Sequence, residues 1–251
     1  FTVASLVIYA IPFAILIVDN PPDWDGLRFV LASSVVHVGY FVLLARSYRD
    51  ADLSIAYPIA RGTGVLLAPI LAVPIYGDRP TVAAWVGIAA ILGGIVWLHA
   101  PALRRSVGRV GIGGVLAGPP LLTGLTIATY SLIDAGGARR VQPLVYLYLL
   151  FALAALFLAP YMVRRRWAAV RTEARNPRSV AVAGGAAFGT YVMVLAAMRL
   201  APVSYVVPIR EVSIVFAVMI GVWWLGERLS RARVGACLLV TAGVVLIGVA
   251  G

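Results

Sequence analysis

Ala51-Asp52-Leu53-Ser54-Ile55-Ala56-Tyr57-Pro58-Ile59-Ala60-Arg61 reads like a second copy of Ala201-Pro202-Val203-Ser204-Tyr205-Val206-Val207-Pro208-Ile209-Arg210-Glu211. Alanine, serine, proline and isoleucine coincide at an offset of 150, and Arg61 stands opposite Glu211. Each ionisable group lies about ten residues inside an apolar run, close to half-way through a bilayer at ~1.5 Å per residue. A charge there costs about 2.5–3.5 kcal/mol even on the lenient insertion scale, so it marks a candidate functional site. Paired midplane charges in a duplicated chain predict a transporter.

Composition agrees. Of 251 residues, 62% are hydrophobic and 12% charged, with mean hydropathy +0.96. Soluble domains carry about 25% charged residues, so an integral membrane protein is expected. The net charge of +11 comes from 21 basic residues, all arginine. These cluster in short loops between apolar runs, which excludes a nucleic-acid stripe and points to membrane orientation. Cys237 stands alone, and His37 and His99 are far apart, so no metal site or cofactor is expected. Gly108-Arg109-Val110-Gly111-Ile112-Gly113 follows no strand, which excludes a nucleotide loop. No catalytic constellation can be assembled at one depth, so the chain is not expected to be an enzyme.

The continuous apolar runs predict helices and not an alternating barrel. Nine spans are expected, near 1–18, 27–45, 53–76, 81–99, 110–133, 142–163, 179–198, 202–225 and 233–250. The duplication extends beyond the opening pair. Gly77-Asp78-Arg79-Pro80-Thr81 matches Gly226-Glu227-Arg228-Leu229-Ser230 at offset 149, and Gly94 matches Gly243. Spans one to four thus pair with six to nine, and the fifth lacks a partner. The expectation is an all-α integral membrane bundle of ten helices, made of two inverted five-helix repeats over 1–105 and 106–251. Nine of these helices would be visible, the first being missing ahead of Phe1. Repeats with an odd number of helices insert in opposite senses. Fourteen arginines fall on one side of this arrangement and five on the other, with Arg61 and Arg210 inside the membrane. By the positive-inside rule the fourteen face the cytoplasm.

At the paired segments and at Leu225-Gly226-Glu227-Arg228, the chain resembles the EamA-type family of the drug/metabolite transporter superfamily. The resemblance covers essentially the whole chain, with Tyr76-Gly77-Asp78-Arg79 departing slightly from the family's usual Leu-Gly-Glu-Arg. It implies a ten-helix carrier of small metabolites, amino acids or drugs, with spans three and eight lining a central cavity. It also implies termini in the cytoplasm, opposite to the arginine distribution. Tyr57-Pro58-Ile59-Ala60-Arg61-Gly62-Thr63-Gly64 and Tyr130-Ser131-Leu132-Ile133-Asp134-Ala135-Gly136 are similar to a subgroup associated with phosphonate utilisation.

The site residues each admit two readings. Arg61 stays charged and needs a carboxylate or an anionic ligand. Paired with Glu211 it forms either a substrate pocket or a static packing contact. Arg210, about 100° round the helix from Glu211, enters the cavity or meets a carbonyl. Together the three carry +1 and favour a carboxylate- or phosphonate-bearing substrate. Tyr57, Tyr130, Tyr191 and Tyr205 are candidate cavity liners. Glu211, Asp134 and His37 are the proton-coupling candidates, with a turn residue and a hydroxyl-bonded histidine as the plain alternatives for the last two. Pro58 and Pro208 read as hinges or as tolerated kinks. Gly111–Gly118 and Gly184-Gly185 read as close helix contacts. The expected function is export of a small polar metabolite by alternating access across a bacterial inner membrane, with the bilayer and the substrate as partners and no nucleic acid. A lipid or lipid-linked-sugar translocase and a non-transporting membrane scaffold are the rival readings.

Overall fold

A computed structural model describes residues 2–50, 53–116, 118–226 and 230–250, and among them every regular element is helical. The helices are α1 (Thr2–Ile8), α2 (Ala10–Asp19), α3 (Trp24–Asp50), α4 (Leu53–Tyr76), α5 (Val82–Leu116), α6 (Pro119–Ala138), α7 (Pro143–Arg165), α8 (Trp167–Ala174), α9 (Pro177–Leu200), α10 (Val203–Ile209), α11 (Ser213–Leu225) and α12 (Arg231–Ala250). A 3-10 turn, Arg210–Val212, joins α10 to α11.

Seven spans among the described residues are long and apolar enough to cross a membrane, or eight if the bent pair α1 and α2 is one span. The expectation was nine. The first expected span is broken at Tyr9, where the two helices meet at 64°. Pro12 has no N–H to give the Ile8 carbonyl, so the ladder is interrupted at that joint. The fifth expected span forms as α6, shifted towards the C-terminus, but falls short in apolarity. Thr123, Thr126, Tyr130, Ser131 and Asp134 lie along it, and all but Thr126 are buried. These polar side chains share one inward face of α6, while Leu122, Leu125 and Thr129 on its other face are exposed. In the other spans only 22–39% of each apolar window is buried, which leaves the remainder for acyl chains. Gly111 and Gly118 are not close helix contacts. Both have positive φ (72° and 100°) with open space around them; Gly111 kinks α5 and Gly118 precedes α6.

The chain groups into two compact units, Phe1–Gly39 with Ile133–Leu200, and Tyr40–Leu132 with Ala201–Gly251. Each unit joins a segment of the first half of the chain to a segment of the second.

In the first unit, aromatic rings lock α1 and α2 onto α7 and α9. Tyr9 stacks on Phe188 at 4.3 Å and Phe13 on Tyr148 at 3.9 Å. The Tyr9 hydroxyl donates to the Gly185 carbonyl at 3.0 Å.

In the second unit, α5 and α12 pack backbone to backbone. A Cβ on Gly87 would lie 2.7 Å from the Gly243 oxygen, and one on Gly94 would lie 3.0 Å from the Ala236 oxygen. Residue numbers rise along one helix as they fall along the other, so the pair is antiparallel. The offset of 149 carries Gly87 to Ala236 and Gly94 to Gly243, and thereby exchanges the two contacts. The helix starts repeat as well: Ala84 N–H bonds Thr81 Oγ1 at 3.2 Å, and Arg233 N–H bonds Ser230 Oγ at 3.3 Å, again 149 residues apart. Around this crossing Val65, Ala84, Ile88, Ile91, Ile95, Tyr205, Ile214 and Ile247 form the apolar core of the unit.

Asp78 shows what the carboxylate of the repeat-end signature does locally. Its Oδ2 accepts from Ser204 N at 3.0 Å and from Ser204 Oγ at 2.8 Å, capping the start of α10, where Pro202 offers no side-chain acceptor. The counterpart positions Glu227 and Arg228 lie outside the described residues. Asp78→Ala is expected to cost about 1–2 kcal/mol through the lost cap. A urea titration of the protein in detergent would read this as a lower midpoint at unchanged slope.

Candidate functional site

Two polar clusters are buried in the helices, one in each compact unit. The first to be anticipated is built on Glu211, which is fully enclosed. Pro208 removes the N–H that would bond the Ser204 carbonyl, and the chain relaxes into the 3-10 turn that carries Arg210 and Glu211. Pro58, its counterpart, sits inside a helix that runs on without such a turn. Sequence symmetry at the prolines is therefore not matched by backbone symmetry.

From α4, Arg61 Nη1 donates to Glu211 Oε1 at 2.9 Å. Arg210 Nε lies 4.0 Å from the same oxygen, at the limit of an ion pair. The arginine and glutamate aligned by the duplication thus meet. Arg61 keeps 29% of its side chain exposed while Glu211 keeps none, so the pair has one wet end and one dry end. The dry end is incomplete, because buried Glu211 Oε2 has no hydrogen-bond partner among the described residues. A buried acceptor left open costs about 1–3 kcal/mol, so this oxygen calls for a partner that the described residues do not supply.

Aromatics surround the pair. Tyr57, one turn before Arg61, lies under its guanidinium at 5.6 Å and beside His99 at 5.8 Å. Tyr130 and Tyr40 meet edge-on at 5.4 Å, and both are within electrostatic range of Arg61. Tyr205 does not join them. It packs in the apolar core and accepts from Thr81 N–H at 3.3 Å, so its hydroxyl ties α10 to the start of α5.

The second cluster is built on Asp134 of α6, also fully buried. Ser33 of α3 and Tyr146 of α7 donate to Oδ1, the latter at 2.8 Å, and Tyr191 of α9 donates to Oδ2. One carboxylate therefore ties four helices. Gly137 makes room for it: a Cβ there would strike the Tyr146 ring at 2.1 Å. His37 lies one turn after Ser33, with Nδ1 3.1 Å from Ser33 Oγ and 3.0 Å from the Ser33 carbonyl. Its ring meets that of Tyr191 edge-on at 6.2 Å.

Of the residues singled out in the sequence, Arg61, Arg210, Glu211, Tyr57 and Tyr130 gather in one cluster, whereas Asp134, His37 and Tyr191 gather in the other. Ser33 and Tyr146 were missed. The four-residue step from Ser33 to His37 puts both on one helix face and is visible in the sequence. Tyr146 reaches Asp134 across a loop, and no local pattern announces it.

Apolar helices that expose their sides, a helix with a buried polar face, and a proline-broken helix presenting buried charge describe a multi-pass membrane protein. The chain belongs to the EamA-like transporter family, whose model matches residues 1–99 and 112–249. It is also similar to the spermidine export protein MdtI of Enterobacter sp. (strain 638). The two are 30% identical over 77 residues, which is 30% of this chain and 71% of that protein.

Proposed function

We propose that this protein exports a small zwitterionic metabolite across the bacterial inner membrane, by alternating access of two inverted five-helix repeats. The antiparallel crossing of α5 and α12, with contacts exchanged by the repeat offset, supports the inverted design. The substrate reading rests on one observation above the others: a buried carboxylate with one oxygen held by arginine and the other open. Arg61 and Arg210 match a substrate carboxylate or phosphonate, and Glu211 Oε2 matches its ammonium group. Tyr57 and Tyr130 supply apolar ring faces with single hydroxyls.

Export is favoured by the similarity to MdtI, but its spermidine is a poor fit here. A polycation would face two guanidiniums against one carboxylate. A lipid translocase is the weaker reading, because the polar groups named are arranged around a compact ionic pair and not along an apolar slot.

Thermal unfolding of the purified full-length protein, with L-amino acids, aminomethylphosphonate and spermidine as probes, tests the reading. A matching zwitterion at about 100 times its Kd should stabilise by about 2.7 kcal/mol and raise Tm. The rise should vanish in Arg61→Lys, which loses the bidentate fork, and spermidine should leave Tm unchanged. Stabilisation by spermidine alone would overturn the proposal.

A further inference from the structure

The connection between α7 and α9 is the most basic stretch of the chain. Arg164, Arg165, Arg166, Arg171, Arg175 and Arg178 fall within it, against a single acid, Glu173. Every residue from 164 to 179 is exposed except Val170. The ion pairs among the described residues lie elsewhere, and Arg171 rests its guanidinium over the Trp167 ring at 5.5 Å.

Connectivity fixes what this charge can meet. The apolar spans of α7 and α9 end at Arg165 and begin at Pro177. Arg166 alone joins α7 to α8, and Arg175 with Asn176 joins α8 to α9. An eight-residue helix is about 12 Å long, so α8 stays at the level where hydrocarbon gives way to headgroups.

The pattern of α8 suits that level. At ~100° per residue, Val170, Ala174, Trp167, Arg171 and Arg175 fall within an arc of about 140°. Glu173 lies outside the arc, about 160° round from Arg171. One face therefore combines an indole, a valine and an alanine with two guanidiniums, and the acid is turned away. Tryptophan prefers the headgroup boundary, and a helix with arginines beside its apolar residues lies in that plane.

We infer that α8 and the arginines flanking it form a docking surface for anionic phospholipid headgroups. The phosphodiester is the group that fits, because a guanidinium fork binds two phosphate oxygens at once. Basic clusters of this size next to a membrane span attract anionic lipid, whereas a zwitterionic headgroup brings a cationic amine that the arginines repel. A soluble polyanion fits less well, since Trp167, 47% exposed, would then stay in water. The surface involves no residue of either buried cluster, so it stands apart from the substrate reading.

A fluorophore on Ala169→Cys, in a Cys237→Ser background of the full-length protein, tests the assignment in phosphatidylcholine vesicles. The quenchers are phosphatidylglycerol and phosphatidylcholine carrying a nitroxide on the acyl chain. Half-quenching should need at least about threefold less of the anionic lipid, and raising salt from about 0.05 to about 0.5 M should narrow that gap. Arg171→Gln with Arg175→Gln should bring the two lipids to within about 1.5-fold of each other. Arg104→Gln with Arg105→Gln removes the same charge elsewhere and should leave the gap as it is. All four arginines are exposed, so these variants probe binding and not folding. An unchanged gap in the first pair would overturn the assignment. An equal loss in both pairs would do so too, by reducing the effect to net charge. Inorganic phosphate at about 20 mM, set against chloride of equal ionic strength, should not alter the gap. Its abolition by phosphate would mean that the surface takes a soluble anion, and the lipid assignment would fall.

Discussion

Arg61→Leu should destabilise the protein by about 3–5 kcal/mol, more than Glu211→Leu, and the double substitution should recover most of that loss. Breaking a buried ion pair from one side strands the other charge, whereas replacing both partners by apolar residues is often neutral or better. The asymmetry comes from exposure. Glu211 has no accessible surface, so without Arg61 its carboxylate is left with Arg210 at 4.0 Å and an oxygen that is already open. Arg61 keeps part of its side chain exposed, so without Glu211 its guanidinium can turn to that wet end. Unfolding in detergent measures all three variants. The functional reading adds a second demand: the recovered double variant must still fail to bind the zwitterion. A pair that served packing alone would also survive exchange of its charges, Arg61→Glu with Glu211→Arg, whereas a substrate pair would not. If Arg61→Leu costs less than about 1 kcal/mol, Glu211 is not held as described.

The meeting of Arg61 and Glu211 was legible because duplication turns a one-dimensional alignment into a three-dimensional constraint. Arg61 and Glu211 occupy matched positions, and their opposite charges make the contact between them worth keeping. Span lengths were legible for a similar reason, since a bilayer imposes one length on every apolar helix. What escaped was anything decided by a side chain crossing between non-equivalent helices. Tyr191 and Tyr130 look alike in sequence, yet Tyr191 donates to Asp134 and Tyr130 packs on Tyr40. Tyr205 offers the same ring and hydroxyl as the other candidate cavity liners, but it lies in the apolar core with its hydroxyl accepting from Thr81 N–H. Composition misled at α6, where apolarity was averaged across a helix that turns its polar face inward. The stripe Thr123, Thr126, Tyr130, Asp134 has helical spacing and could have identified the inward face of this helix.

Gly243→Val should cost at least the upper part of the usual range for overpacking, about 1–3 kcal/mol, while Gly248→Val on the same helix should be close to neutral. The Cβ of the first would lie 2.5 Å from the Gly87 oxygen, and backbone cannot give way as a side-chain tip can. The second has nothing within 4 Å and is exposed, so it only gains apolar contact with lipid. Gly94→Val, at the position the repeat exchanges with Gly243, meets Val240 at 2.6 Å and the Ala236 oxygen at 3.0 Å. Its cost should be of the same order but smaller, because a valine methyl can move. Helix association in lipid lacks a hydrophobic driving force and relies on such close approach. A wedge at either glycine therefore separates α5 from α12 instead of being absorbed by the core. Denaturant unfolding of the three variants in one detergent ranks them. Near-equal costs at Gly243 and Gly248 would mean that α5 and α12 do not touch at these glycines, and the antiparallel contact that supports the inverted design would lose its footing.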